Sequence, residues 1–545
     1  MSMFRTFAGL FRKEKIVLRL FTVLLLLFSA YFLFWVFRGF LSGLTYPKEK
    51  LELSNINFTN ALLNGRNPYL LENVAGPGEE PPVVYMYPFV NNLIAAGLSF
   101  IFGGNAFLAH YVLSFAAMLL SGLLGAAIVT QYSRTTVGPA LSFILIMFCH
   151  WRYGYTSAAP DAFGLLLTLF TLYLATRREL KHRPFWCAVG IVTLFYVKQY
   201  FVSICISIFL FMWIRSKKEA IRLFLFCLLF TVSSVLLIAW AWPLYWDYTV
   251  VLMLYDSNVM NGTEAVLNGA AVNGWQYYLD QLVYLSKVFC CLYAAIAVCL
   301  GAEWLGRRKG EAGRDTEDRS ESARTLFGIQ VLVQFVVLLY FGRHDGAYLT
   351  YFLQLFFPSV IIYALILLEQ TDLRKKEWIY IGCYMGLALF TVYFGWKKLP
   401  MHLLTEEERG QWNEAYEIMD RYRGKGEISN YFSTAFEGAK KGDPLFGTSH
   451  DAGAMPAVSS LPFTEEGFGK VLFPYTDLVF DEYRDYKEVV LQRIRDRHYA
   501  LVTCPRDGGW MIPEELLAES GYQKIGELDL QMGNMTYPTD FWAVP

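Results

Sequence analysis

The residues of this sequence with the most chemical promise are ionisable groups set beside long apolar runs. Asp161 follows Ala158-Ala159-Pro160 and opens one such run, and Lys198, in Val197-Lys198-Gln199-Tyr200, separates two others. Arg343 and His344, in Gly342-Arg343-His344-Asp345-Gly346, occupy a further short break. Lys and Arg at such positions suit phosphate oxygens, with which they form charge-assisted hydrogen bonds. A carboxylate beside them can orient or deprotonate a hydroxyl group. The bland alternatives are snorkelling to an interface, which is the preferred reading for Arg38, Arg152 and Lys287, and, for Asp161, a favourable interaction with a helix dipole worth roughly 0.3 to 1 kcal/mol.

The elements that must position these groups follow from the distribution of charge. The chain has 545 residues, 55% hydrophobic and only 17% charged, with a formal net charge of -1. Soluble domains carry roughly 25% charged residues, and the balance of charge excludes a basic nucleic-acid binder, so no nucleic acid is expected as a partner. The average conceals a split, because 40 of the 95 charged residues lie in the last 148 positions. Residues 1–397 therefore read as a polytopic membrane domain and 398–545 as a water-soluble domain.

Eleven apolar runs are long enough to be spans, allowing for short helices inside a bundle: Ile16–Phe37, Asn105–Gln131, Pro139–Cys149, Pro160–Thr176, Pro184–Val197, Tyr200–Ile214, Ile221–Leu244, Val288–Leu305, Leu326–Phe341, Ala347–Leu368 and Trp378–Trp396. The stretch Phe89–Phe102 is too short and reads as an interfacial helix within a first outer loop, 38–104. With an odd number of spans and the N-terminus inside, about 23 basic loop residues fall inside and about 9 outside. A twelfth span would invert every later loop. This parity places the N-terminus in the cytoplasm, the tail outside it, and Asp161, Lys198 and Arg343 together at the outer surface of a cell membrane. The first run lacks a small-residue cleavage site and reads as a retained anchor.

In the tail, Thr405–Arg423, Lys487–Arg497 and Pro513–Ser520 read as helices, and Lys470–Phe473, Leu478–Phe480, Ala500–Thr503 and Gln523–Leu530 as strands, giving a small α/β domain. There is no phosphate-loop motif. The cysteines show no metal or disulfide pattern, and His110, His150 and His182 have no ligand spacing and read as structural.

The order of these elements resembles the GT-C class of integral membrane glycosyltransferases, and within it the protein mannosyltransferase and aminoarabinose transferase branch, whose donors are polyprenyl-phosphate sugars. The resembling residues are Asn64-Gly65-Arg66-Asn67-Pro68-Tyr69, then Tyr85-Met86-Tyr87-Pro88, then the short helix closed by Phe102-Gly103-Gly104, followed by Asp161, Lys198-Gln199, and Asp345-Gly346-Ala347 with Tyr351. The resemblance covers most of the membrane portion. It departs at the first-loop acid, usually Asp in such families, where this register holds Glu52.

What the resemblance implies is a helical bundle of about 11 transmembrane helices with an extracytoplasmic α/β domain, moving a sugar from a polyprenyl-phosphate donor to an acceptor lipid, glycan or protein by direct, inverting displacement. Glu52 and Asp161 are the expected catalytic carboxylates. Lys198, Arg343 and His344 are the expected donor-phosphate ligands, and Tyr69, Tyr85, Tyr87, Asp345 and Tyr351 are expected to bind substrate. Tyr85 and Tyr87 stand in a loop fixed by Pro82 and Pro88, where a ring can stack on a sugar face; the other aromatic residues at span ends fit an interfacial belt. Members of the wider class differ in metal use, and with no clear acid cluster none is expected here. The competing class is a transporter or flippase for lipid-linked sugars, which would show repeated halves and ionisable groups near the midplane; neither is visible.

Overall fold

The computed structural model describes residues 2–46, 52–67, 69–74, 88–151, 158–252, 279, 283, 286–287, 289–308, 318–341, 352–371, 377–398, 404–429, 473–479, 486–506, 512–532 and 535–545. Every one of the eleven apolar runs contains a helix. In order, the helices of the bundle are α1 (Ser2–Lys13), α2 (Ile16–Gly43), α3 (Glu52–Leu63), α4 (Val90–Ser99), α5 (Ala106–Thr130), α6 (Val137–Trp151), α7 (Asp161–Thr176), α8 (Arg183–Val197), α9 (Ile204–Arg215), α10 (Lys217–Ala241), α11 (Cys290–Arg308), α12 (Asp318–Phe341), α13 (Phe357–Gln370) and α14 (Glu377–Lys398). Among the described residues, five stretches are long and apolar enough to cross a bilayer by length and composition: Ile16–Gly43, Ala106–Thr130, Lys217–Ala241, Ser322–Leu339 and Phe352–Gln370. Shorter apolar helices, among them α6, α7 and α8, pack between them.

Burial separates the axis of the bundle from its lipid-facing wall. The Phe352–Gln370 stretch is 94% buried, whereas α10 is 11% buried and turns Phe224, Leu228, Leu236 and Trp240 outward. Against hydrocarbon such exposure carries no penalty, and the backbone polar groups are satisfied inside each helix. The stretch after Phe89 forms only ten helical residues, followed by a 3-10 turn over Phe100–Phe102 that ends at Gly103 in the left-handed region, φ +64°. It buries Asn91, Asn92, Ala95 and Ser99 and exposes Phe100 and Ile101. Two helices were not anticipated: α1, whose basic residues serve in the sequence only as topology markers, and α3, which lies within the expected first outer loop.

The end of the bundle that holds the N-termini of α2 and α6 carries a buried polar cluster. Glu14 accepts from the Thr136 N–H at 2.9 Å and from its hydroxyl, and Thr22 and Thr136 hydroxyls lie 2.8 Å apart. Glu369, near the C-terminus of α13, accepts from the Arg134 N–H at 2.9 Å, the Thr135 hydroxyl at 2.8 Å, the Tyr380 hydroxyl at 2.9 Å and the Tyr384 hydroxyl. Two carboxylates thus serve the first turn of α6, where unpaired N–H groups and the dipole favour negative charge. Burial raises the Glu14 carboxyl above its usual range, opposed by its bonds to Thr136. Ion pairs Arg183–Glu219, Lys15–Glu377 and Arg324–Glu303 lie at this same end.

The C-terminal elements are α15 (Glu406–Tyr422), β1 (Glu427–Ser429), α16 (Tyr486–Arg495), β2 (Tyr499–Pro505), α17 (Glu514–Glu519), β3 (Gln523–Met532) and β4 (Met535–Ala543). The sheet runs β1-β2-β4-β3, with β1 parallel to β2 and the other pairs antiparallel. A capping box of Thr405 and Glu408 starts α15, which covers one sheet face through Trp412, Ile418, Leu528, Leu530 and Phe541. The expected strand at Leu478–Phe480 is overturned: residues 476–479 form a helical turn, a distinction that a three-residue apolar run cannot make. Residues 470–472 lie outside the described residues. Strand β4 was not anticipated, because Pro538 argues against a central strand. It is tolerated there because pairing with β2 runs only from Leu501↔Ala543 to Pro505↔Thr539, so position 538 lies beyond that ladder.

Candidate active site

At the opposite end of the bundle, Lys198 Nζ stands 2.9 Å from Asp161 Oδ1, with side-chain exposures of 11% and 6%. Both positions are fixed by helix ends. Asp161 is the first residue of α7, following Pro160. Lys198 ends α8 in an extended conformation, its N–H bonded to the Leu194 carbonyl, before a 3-10 turn over Gln199–Ser203 leads into α9. Two glycines let these elements meet: a methyl group at Gly164 of α7 would run into the Phe201 ring, and one at Gly190 of α8 into Thr171. The turn that carries Lys198 can therefore lie against the first turns of α7.

Tyr200 completes the group. Its hydroxyl lies 3.0 Å from Asp161 Oδ1 and also contacts the side-chain oxygen of Gln354, so one hydroxyl proton serves two acceptors. Lys198 Nζ lies 5.2 Å from the centre of the Tyr200 ring, within cation–π range. Gln354 comes from a π-turn over Phe352–Phe356 that precedes α13. Burying a charged pair is unfavourable unless partners and hydrogen bonds compensate, and removing one member strands the other. Among the described residues the site is thus a buried cation held by the Asp161 carboxylate and flanked by a hydroxyl and an amide.

Sequence reasoning did not single out Tyr200 or Gln354. The available signals were the adjacency of Tyr200 to Lys198, and a lone amide inside an apolar run, since polar groups inside membrane segments are rarely idle.

Beside the turn, Gln199 Nε2 donates to the Thr249 carbonyl at 3.4 Å. Thr249 belongs to a second π-turn, Asp247–Leu252. Asp247 is fully buried and accepts from the Thr476 hydroxyl of the C-terminal region at 2.9 Å, while its second oxygen has no partner among the described residues. Burial pushes its carboxyl up to about 7, against the opposing effect of the Thr476 hydroxyl and of the Asp247 and Tyr475 backbone N–H groups. The same apolar cluster joins Tyr245, Trp246, Tyr248 and Val251 to Val479, Val490, Tyr499 and Trp542. The C-terminal sheet therefore docks at the end of the bundle that holds Asp161 and Lys198. A second contact is the Tyr416 hydroxyl donating to the Thr45 carbonyl at 2.9 Å, just beyond α2.

The other expected site residues fare differently. Tyr69 is 1% exposed and packed among Phe58, Trp242, Tyr245 and Tyr248, with its carbonyl accepting from the Leu244 N–H. Its expected part in binding substrate thus falls on a ring that, among the described residues, is buried against these four aromatic side chains. Glu52 is the first residue of α3. Tyr85, Tyr87, Arg343, His344, Asp345 and Tyr351 lie outside the described residues. Among the described residues no group of three or more His, Cys, Asp or Glu side chains could hold a metal ion.

No family model matches the chain, and no curated protein matches its sequence. Among solved structures it is similar to ArnT from Cupriavidus metallidurans bound to undecaprenyl phosphate, at 12% identity over 95% of this chain and 97% of that one, with a TM-score of 0.53. The apo state of the same protein aligns over the same shares at 12% identity and a TM-score of 0.43. An oligosaccharyltransferase from Archaeoglobus fulgidus aligns at 10% identity over 91% of this chain and 69% of that one, with a TM-score of 0.44. Identity this low speaks for fold alone, and only the first comparison has the score to carry it: the chain has the fold of a GT-C membrane glycosyltransferase.

Proposed function

We propose that this protein transfers a sugar from a polyprenyl-phosphate donor to an extracytoplasmic acceptor, with inversion at the anomeric carbon. The observation that carries the reading is the Asp161–Lys198 pair with Tyr200, buried at one end of a bundle whose fold is shared with ArnT, a protein crystallised with undecaprenyl phosphate bound. A polyprenyl phosphate is already a good leaving group, so the remaining needs are a base for the acceptor hydroxyl and cations for the departing phosphate. Lys198, with Arg343 and His344, takes the phosphate. Glu52 takes the acceptor proton, and Asp161 orients the site. Tyr85, Tyr87, Asp345 and Tyr351 contribute to the sugar and acceptor pocket.

In this scheme Lys198 turns from Asp161 toward the phosphate as charge develops on it, and Tyr200 keeps Asp161 hydrogen-bonded meanwhile. The site end faces outward. Its support is the positive-inside rule: Lys15, Arg134, Arg177, Arg183 and Arg324 belong to the far end of the bundle, with Glu14 and Glu369. The C-terminal domain, residues 398–545, then sits over the site from outside.

The deciding experiment gives purified full-length protein a panel of undecaprenyl-phosphate hexoses and pentoses and measures released undecaprenyl phosphate. Turnover of at least one donor is expected, reduced about a hundredfold or more by Asp161→Asn and by Lys198→Ala, as for groups acting in the transition state. Full turnover in both variants would remove the pair from the chemistry.

A further inference from the structure

Glu52 opens a helix of only twelve residues, so a base at that position needs the helix itself held in one rotation. α3 is too short to span a membrane, and three of the five buried residues among its described side chains are polar: Thr59 is 0% exposed, Asn55 1% and Asn60 8%, beside Ile56 and Phe58. Thr59 Oγ1 lies 2.7 Å from Nε2 of His110, a fully buried residue near the start of α5. One turn away, the Asn55 carbonyl accepts from Asn92 Nδ2 of α4 at 2.9 Å, with Asn92 also fully buried. Two hydrogen bonds from two different helices therefore seize the same side of α3.

The helical register connects this grip to Glu52. Seven residues make nearly two turns, so positions 52 and 59 share an azimuth to within about 20° and lie about 10 Å apart along the axis. Asn55 falls between them, one turn from Glu52, on the adjoining part of the same face. Apolar packing alone would bury this side of α3 without the desolvation penalty of amides and an imidazole. It is also non-directional, and would allow the short helix to rotate. Hydrogen bonds are directional and do not.

We propose that Thr59, His110 and Asn92 are positioning residues that lock the rotation of α3 and so set the angle at which Glu52 meets the acceptor hydroxyl. The inference rests on the reading of Glu52 as the base. It assigns His110 a task that is mechanical: the imidazole touches no substrate and acts through Thr59.

Thr59→Val keeps the shape of the side chain and removes the hydroxyl, and Thr59→Ser keeps the hydroxyl. In steady-state assays of the full-length protein with an undecaprenyl-phosphate sugar, Thr59→Val is expected to lower kcat about tenfold or more while KM for the donor stays within about twofold, the pattern of a lost transition-state alignment. Thr59→Ser is expected to restore kcat, and amide hydrogen exchange along α3 is expected to rise in the valine variant and not in the serine variant. A wild-type kcat in Thr59→Val, or a loss that serine does not rescue, overturns the lock. Glu52→Gln separates the two layers. If it retains full turnover, the base reading falls while exchange along α3 still decides whether the lock exists; if it is inactive and Thr59→Val is normal, the base stands and the lock falls.

Discussion

Asp161 and Glu369 are buried carboxylates at opposite ends of one bundle, and their surroundings differ in kind. Glu369 meets an N–H group and three hydroxyls drawn from the α5–α6 connection and from α14, all neutral donors, and sits beside Glu14 at the N-terminus of α6. Asp161 meets an ammonium group and a hydroxyl that is shared with Gln354. A carboxylate saturated by neutral donors on rigid helix ends is immobilised, and moving any donor leaves a buried group unmet. A carboxylate paired with a flexible lysine holds a cation that a phosphate can take over. The first arrangement fixes three helices relative to one another, and the second stores a charge ready for use.

The comparison breaks if both ends behave alike under mutation. The largest effect belongs to Glu369→Ala, which removes the shared acceptor of the Thr135, Tyr380 and Tyr384 hydroxyls and the Arg134 N–H group, at a cost of about 3 to 5 kcal/mol in stability. A thermal melt in detergent should show this loss, while turnover per folded molecule at low temperature stays near wild type. A normal melting temperature would show that the cluster is not the brace described here.

Tyr200→Phe sharpens the other half of the contrast. It removes one hydroxyl, keeps the ring over Lys198 and leaves the Asp161–Lys198 pair intact. Turnover should fall about tenfold, the equivalent of one modest hydrogen bond of roughly 1.4 kcal/mol, with little change in melting temperature. A large loss of stability with unchanged turnover would assign Tyr200 to the same structural class as Tyr384.

These two sites also differ in how far the sequence discloses them. The helices follow from the apolar runs, and Asp161 and Lys198 stand out because each is a lone charge at the edge of such a run. Tyr200 and Gln354 are harder to see. Gln354 lies in Leu353-Gln354-Leu355, inside a stretch read as one continuous span, and the π-turn over Phe352–Phe356 that presents it leaves no trace in hydrophobic periodicity. Glu369 reads as an ordinary charge at a span end; its four donors come from segments 11 to 235 residues away. Tyr69 shows a related limit, since its motif suggests a ligand contact while its packing against Trp242 and Tyr245 brings in residues far along the chain.

Asp247 belongs to neither class. It joins the bundle to the C-terminal region through Thr476, across 229 residues of sequence, and its second oxygen is buried without a partner among the described residues. Its carboxyl is raised from 3.8 to about 7, chiefly by burial. The docked form therefore binds the proton more tightly than the undocked form does. Below about pH 4 both forms are protonated and there is no penalty; between about pH 4 and 7 docking weakens as pH rises, and above about 7 the penalty is constant. Such a shift corresponds to roughly 4 kcal/mol at most. Asp247→Asn removes the penalty and keeps an oxygen for Thr476, but leaves amide hydrogens buried at a cost of about 1 to 3 kcal/mol. The net expectation is tighter docking by about 1 to 3 kcal/mol at pH 8, looser docking by about 1 to 3 kcal/mol at pH 4, and a flatter pH profile. Hydrogen exchange around 475–479 in wild type and Asp247→Asn, compared across this range, isolates the residue from the other carboxyl groups that titrate there. If the two proteins track each other at every pH, Asp247 is charged at no expense, and the junction between bundle and C-terminal region is as rigid as the cluster around Glu369.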